Sequence, residues 1–366
     1  MLLRTAICVA LSLAAMSQFA TAQETTPPKP SQAMAAPATP DADMQMVLDT
    51  LQALGGKPIE TLTPAEARVQ PTPADAVTAL LKKQGATLPK PAVKIANGTY
   101  PTAGGTQQLK IYTPTPTDVP PAPGAAGAMP VIVYFHGGGW VIADIKTYES
   151  SALALAEKAK AIVVSVEYRH APEFKFPAAH EDAFVAYQWV LKNAASFNGD
   201  PKRVAVAGES AGANLAANVS IMARDQKVAL PIHQVLVYPV AGSDMNTPSY
   251  KENANAKPLN KAMMAWFVKQ ALTPEDAKSP MINLVAANLA GLPPTTLITA
   301  QIDPLRSEGS LLADKLSAAG VKTTYKNYDG VTHEFFGMGA VVKDAAAAQD
   351  AAAGDLRKAF TPAAKM

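Results

Sequence analysis

Gly208-Glu209-Ser210-Ala211-Gly212 is the segment of this chain with the most chemical content. A serine flanked at a distance of one residue by glycines can stand on a turn too tight for larger neighbours, its hydroxyl exposed as a nucleophile. G-x-S-x-G also occurs by chance, so its setting decides. An apolar, β-branched run at 204–207 precedes it and a helical pattern at 211–224 follows, the strand-turn-helix context of a nucleophile elbow. About 70 residues upstream, His136-Gly137-Gly138-Gly139-Trp140 ends a second apolar run at 131–135. Three successive glycines let the backbone approach a ligand and aim bare N–H groups at it, as the stabilisation of an oxyanion requires.

A nucleophilic serine needs a base, and proteins with this elbow place the three partners in the order serine, acid, histidine. The chain has five histidines, His136, His170, His180, His233 and His333, and only the last two follow Ser210. His233 comes too soon after the nucleophile helix to leave space for an acid-bearing loop and reads as structural. His333 lies in Asp329-Gly330-Val331-Thr332-His333-Glu334-Phe335-Phe336, between a strand pattern at 323–328 and the last helix. The acid should follow an intervening strand, and Asp303 directly follows the run 296–300. Glu308 is the runner-up. Glu334, beside His333, would be poorly placed to orient it, because adjacent side chains usually diverge.

The elements that must position these groups are legible from periodicity. Short apolar runs at 131–135, 162–166, 204–207, 235–238 and 296–300 alternate with helical stretches at 148–160, 178–195, 211–224 and 308–319. Strands buried on both faces read this way, so the chain predicts one α/β domain with a mostly parallel central sheet flanked by helices. Ahead of the sheet, Met44, Val47, Leu48, Leu51 and Leu54 recur at helical spacing until Gly55-Gly56. Thr63-Pro64-Ala65-Glu66 and Thr72-Pro73-Ala74-Asp75 each combine a capping hydroxyl, proline at the first helical position and an acid at the third, a helix N-terminus signature. Helices without an intervening strand predict a helical cap over about 43–90, joined by a longer helical insertion (250–273) within about 245–275. Met263, Met264, Trp266 and Phe267 in that insertion suit an acyl pocket or plain core equally well. Residues 113–130, rich in Pro, Ala and Gly, predict a surface loop.

HGGGW, the GESAG elbow, Tyr168-Arg169-His170-Ala171-Pro172-Glu173 with Phe176-Pro177-Ala178-Ala179 and Asp182, and Asp303-Pro304-Leu305 together resemble the bacterial hormone-sensitive lipase family of α/β-hydrolases. The resemblance runs from about Met44 to the C-terminus. It implies the α/β-hydrolase fold with a helical cap, a Ser210, Asp303 and His333 triad, and an oxyanion hole formed by the N–H groups of Gly138, Gly139 and Ala211, with Gly137 able to replace one. His136, Glu209, Glu173 and Asp182 are implied as supports of the motifs near the elbow rather than reactants. Glu209 stands where that family usually has Asp, Ser307 where an acid often follows the DPL motif, and Glu334 where glycine often follows the histidine. These departures bear on pocket shape and substrate preference. The implied activity is hydrolysis of short- to medium-chain acyl esters, and related enzymes often form homodimers through the last strand. An amide, lactone or acetylated carbohydrate would use the same triad. A non-catalytic binding protein on this scaffold is disfavoured because Ser210, Asp303 and His333 are all present.

Composition narrows the partners. With 366 residues, 48% of them hydrophobic, and 32 basic against 30 acidic side chains, the chain can build a large core but has no basic excess for a polyanion such as nucleic acid. A small-molecule substrate is expected. Residues 1–22 read as a cleaved signal peptide: Arg4, an apolar run of about a dozen residues, then Ala20-Thr21-Ala22. That run is too short for a span, which needs roughly 17 to 25 residues. Export to a periplasm or to the medium follows. Cys8, the single cysteine, lies in this segment, so the processed chain would have neither disulfides nor cysteine metal sites. Residues 23–42 hold five prolines and read as a disordered linker, leaving 43–366 as the folded hydrolase unit. No H-E-x-x-H pair and no phosphate-cradling loop is present, so neither metal nor cofactor is expected.

Overall fold

The runs of Val and Ile that read as doubly buried strands become the centre of an eight-stranded sheet. A computed structural model describes residues 38–87, 91–115 and 127–361; the segment 1–22, most of the proline-rich linker and most of the loop at 113–130 lie outside them. The strands are β1 (Val93–Thr102), β2 (Gly105–Pro114), β3 (Met129–Phe135), β4 (Ile162–Val166), β5 (Gly199–Glu209), β6 (Gln234–Val237), β7 (Thr295–Ile302) and β8 (Thr323–Thr332), in the spatial order β1-β2-β4-β3-β5-β6-β7-β8. All neighbours from β4 to β8 pair in parallel, whereas β1 and β2 form an antiparallel hairpin and β2 runs antiparallel to β4.

Alternation along the strands sends side chains to opposite faces, and each face is covered. Val131, Val133 and Phe135 join Val204 and Val206 in one core with α5 (Ala178–Asn193) and α6 (Ala211–Asp225). Ile132, Tyr134, Ala205 and Ala207 face the other way, towards α4 (Glu149–Ala159) and α10 (Lys343–Phe360). α9 (Arg306–Ala318) packs on β7 and β8 at the far edge. This is an α/β/α arrangement with one core on each face of the sheet. No helix among the described residues is long and apolar enough to cross a membrane.

The N-terminal helices are α1 (Ala42–Ala53), α2 (Pro64–Ala67) and α3 (Pro73–Lys83). Both capping boxes form: the Thr63 and Thr72 hydroxyls accept from the N–H groups of Glu66 and Asp75, whose carboxylates accept in return from the capping residues' N–H groups. α1 and α3 bury Met44, Val47, Leu80 and Leu81 in the same core as α4 and α10. The stretch 250–273 is not one helix. It divides into α7 (Pro248–Glu252) and α8 (Lys261–Ala271), because Pro258 offers no N–H and Asn260 starts a new helix, its side-chain oxygen accepting from Met263 N at 2.8 Å.

Candidate active site

The parallel strands end on one side of the sheet, and three of those ends bring together residues far apart in sequence. β5 stops at Glu209 and α6 begins at Ala211, so Ser210 alone makes the turn, with φ 57° and ψ −120°. Such a conformation is costly for a residue with a Cβ and persists only where surroundings impose it. Here the surroundings are close backbone: a Cβ on Gly208 would come 2.2 Å from Gly212 O, and one on Gly212 would come 2.1 Å from Phe135 O. Glycine at both positions lets α6 press against the ends of β3 and β5.

His333 directly follows β8 and Asp303 directly follows β7. His333 Nε2 lies 3.0 Å from Ser210 Oγ, and Nδ1 lies 2.7 Å from Asp303 Oδ2. All three side chains are buried. Asp303 is itself fixed, its other oxygen accepting from Leu305 N at 2.8 Å. The alternatives do not converge here. Glu308 turns to the N–H groups of Ala241 and Gly242, and His233 bonds Thr296 Oγ1 at 2.9 Å. A buried serine hydroxyl hydrogen-bonded to an imidazole, with a carboxylate on the second ring nitrogen, is an arrangement that can deprotonate the hydroxyl as it attacks an electrophile.

Residues 132–337 match the family model described as the alpha/beta hydrolase fold. Among curated proteins, carboxylesterase NlhH of Mycobacterium tuberculosis is 40% identical over 237 residues, 63% of this chain and 74% of that one. Ethyl acetate hydrolase of Pseudomonas putida is 34% identical over 248 residues, 66% and 75% of the two chains. Among solved structures, a thermostable esterase from Pseudomonas putida superposes with a TM-score of 0.78 at 31% identity, covering 90% of this chain and all of that one. The chain belongs to the α/β-hydrolase family. The resemblance read from HGGGW and GESAG therefore holds, and the two motifs lie at the ends of the adjacent strands β3 and β5 of this α/β-hydrolase.

The glycine loop after β3 sits beside Ser210. Gly138 and Gly139 have φ of 97° and 60°, which favour glycine. A Cβ on Gly139 would meet the Phe267 ring at 2.3 Å, and one on Gly137 would meet Tyr148 Oη at 2.3 Å. Ala211 is the first residue of α6, where a backbone N–H has no intrahelical acceptor. Of the insertion residues, Met264, Trp266 and Phe267 belong to the core, with Phe267 over the glycine loop, and Trp266 Nε1 donates to Leu62 O at 3.0 Å.

The supports fall in different places. His136 is fully buried, donating from Nδ1 to Gly137 O at 2.8 Å and from Nε2 to Glu167 Oε1 at 3.0 Å. Burial alone would lower its pKa, but the charge and hydrogen bond of Glu167 outweigh that and raise it. Asp182 holds the backbone N and guanidinium of Arg169. Glu173 is a correction. Its half-exposed carboxylate does not brace the elbow but pairs with Arg68 at 2.6 Å, and Arg68 also donates to Val141 O and Ala171 O. It therefore ties the end of α2 to the glycine loop's flank.

A buried cluster under His333 was not foreseen. Glu209 accepts from the hydroxyls of Tyr134, at 2.5 Å, and Tyr238. Tyr148 donates to Glu334 Oε1 at 2.6 Å, and Tyr238 packs on the His333 ring with centroids 4.4 Å apart. Glu334 has φ 71°, and its Oε1 lies 3.8 Å from His333 Nε2. The expected divergence fails because the left-handed backbone swings the side chain round and Tyr148 holds it. Burial, then the charge of Glu334, push Glu209 up to about 7 against the hydrogen bonds it accepts. Burial also raises Glu334. For His333, burial acts downward, but Asp303, then Glu334 and Glu209, raise it overall. The glutamate after the histidine was visible in the sequence; its approach to the ring depends on a backbone angle that residue type does not reveal.

Proposed function

We propose that this chain is a serine carboxylesterase that hydrolyses short- to medium-chain acyl esters through an acyl-enzyme on Ser210. The observation that carries the reading is His333 bridging Ser210 Oγ at 3.0 Å and Asp303 Oδ2 at 2.7 Å. Family membership and relatives named for ester hydrolysis support it, one of them for ethyl acetate, an ester with a two-carbon acyl group. Ser210 Oγ attacks the carbonyl carbon while its proton passes to His333 Nε2. Asp303 holds the ring and stabilises the imidazolium. The N–H groups of Gly138, Gly139 and Ala211 receive the oxyanion, each worth about 10² to 10³ in rate. Collapse of the tetrahedral intermediate expels the alcohol, which takes the proton from His333. Water, deprotonated by the same imidazole, then attacks the acyl-enzyme and frees the acid and Ser210.

The cap in this reading comprises about 43–90 and 245–275, joined by the Trp266 to Leu62 hydrogen bond, and Phe267 beside Gly139 limits the acyl chain. Residues 1–22 direct export, 23–42 form a tether, and the enzyme acts in a periplasm or outside the cell. A homodimer through β8, the outermost parallel strand, belongs to the same reading.

The test is hydrolysis of p-nitrophenyl esters from acetate to palmitate by the processed protein and its Ser210→Ala variant. Turnover should peak at short to medium chains, and the variant should lose at least about 10³-fold in kcat. Absence of turnover by the folded wild-type protein, or equal turnover by the variant, would refute the assignment.

A further inference from the structure

Behind the glycine loop lies a second cluster that ester hydrolysis does not use. Glu167 follows β4 directly, His170 comes three residues later, and His136 directly follows β3, the neighbouring strand. Glu167 Oε1 stands 3.0 Å from His136 Nε2 and 3.3 Å from His170 Nε2. One donor atom from each of the three residues falls within a 4.8 Å group. We propose that His136, Glu167 and His170 form a binding site for one divalent transition-metal cation of the Zn²⁺ type, which clamps the start of the oxyanion loop to the segment after β4.

Geometry, donor chemistry and surroundings each point to this class of ligand. Zinc binds imidazole nitrogen and carboxylate oxygen at about 2.0–2.1 Å, so tetrahedral ligand atoms lie roughly 3.3 Å apart, close to both distances from Glu167 Oε1. Two imidazoles with one carboxylate favour zinc-like ions over Mg²⁺ or Ca²⁺, which take oxygen donors. Ligating histidines usually donate their other ring N–H to a carbonyl or carboxylate; His136 Nδ1 already donates to Gly137 O at 2.8 Å. The His170 Nε2 atom is buried and makes no hydrogen bond, although it points within 3.3 Å of a carboxylate oxygen. A cation between them would satisfy both. His136 is fully enclosed, whereas the Glu167 and His170 side chains are 21% and 18% exposed, so the cluster borders solvent on their side. Asp144 adds negative charge towards His136. Arg68, whose charge acts on His170, is paired with Glu173. On binding, the proton on His136 Nε2 leaves to solvent and that nitrogen's lone pair goes to the metal.

The sequence did not suggest the site, because its ligands combine a three-residue spacing with a partner some thirty residues earlier on another strand. The proposal is independent of the esterase reading, since it is tested without substrate.

The experiment uses processed, chelator-treated protein and Co²⁺ or Zn²⁺ alone, with Mg²⁺ as the comparison. One Co²⁺ per chain should bind with visible d–d absorption. Saturating Zn²⁺ should raise Tm by about 2–4 °C or more, and Mg²⁺ should do neither. His170→Leu and Glu167→Gln should each weaken Co²⁺ binding at least about tenfold. Glu167→Gln keeps an acceptor for His136 Nε2, so it decides the matter should His170→Leu fail to fold. Lack of stoichiometric uptake by the wild type, or uptake of undiminished affinity in a folded variant, would overturn the proposal. The second outcome would place the ion elsewhere, for instance at His333 and Glu334.

Discussion

Replacing Glu334 by glutamine removes a negative charge 3.8 Å from His333 Nε2 and leaves the Tyr148 hydroxyl an amide oxygen to donate to. At that distance two unit charges attract by about 1 kcal/mol in a water-like medium and about 4 kcal/mol at an effective dielectric constant near 20. The lower end applies, because the Glu334 side chain is partly exposed and solvent screens its charge. About 1.4 kcal/mol corresponds to one pH unit. The sign follows from which form is favoured: the carboxylate stabilises the imidazolium, so its removal lowers the His333 pKa. The neutral base then survives to lower pH. The acid limb of kcat/KM against pH for a p-nitrophenyl ester should therefore move down by about one unit in Glu334→Gln. An unmoved limb, or one displaced upward, would refute the electrostatic coupling of Glu334 to the base.

Two further substitutions test other parts of the site. Burial pushes Glu308 up to about 8 from 4.5, so the folded protein holds this proton over a range in which the unfolded chain has lost it. Stability falls as pH rises through that window. Glu308→Gln retains an acceptor for the Ala241 and Gly242 N–H groups, and its Tm advantage over wild type should grow from near zero at about pH 5 to several degrees at about pH 9; a constant difference would contradict a buried, proton-holding Glu308. Phe267→Ala removes the ring packed against Gly139, at a cost of about 3–5 kcal/mol in stability. The preferred p-nitrophenyl ester should lengthen by roughly two carbons or more, since each buried CH₂ contributes about 0.8 kcal/mol; an unchanged chain-length profile would remove Phe267 from the acyl site.

What was legible in the sequence was what depends on short range or on chain order. The Thr63 and Thr72 boxes formed as read because every partner lies within three residues. The parallel strands were legible because burial on both faces selects continuous Val and Ile runs. Ser210, Asp303 and His333 could be selected because each follows a strand end, and the ends of parallel strands lie on one side of the sheet. The hairpin β1–β2 was less distinct: most of β1 is exposed, so no apolar run marks it. Glu173 was misplaced for a related reason. Its partner Arg68 lies 105 residues away, and no local pattern records that pairing.

The electrostatic setting of His333 was illegible for a deeper reason: it is a property of an assembly of residues. Glu209, at the elbow, is read as a motif residue, yet its chemistry comes from Tyr134 on β3 and Tyr238 after β6, which give it hydroxyl donors in a site without water access. Those donors resist burial but do not cancel it, so Glu209 reaches about 7 with Glu334 nearby. Two carboxylates that disfavour each other's ionisation both favour a proton on the histidine between them and Ser210. A glycine at 334 would accept the φ of 71° without strain but would bring no charge to the ring. The glutamate accepts that strained backbone and places a carboxylate on the Ser210 side of the imidazole. The departure noted at this position thus bears on the proton affinity of the base, whereas the sequence alone connected it with pocket shape and substrate preference.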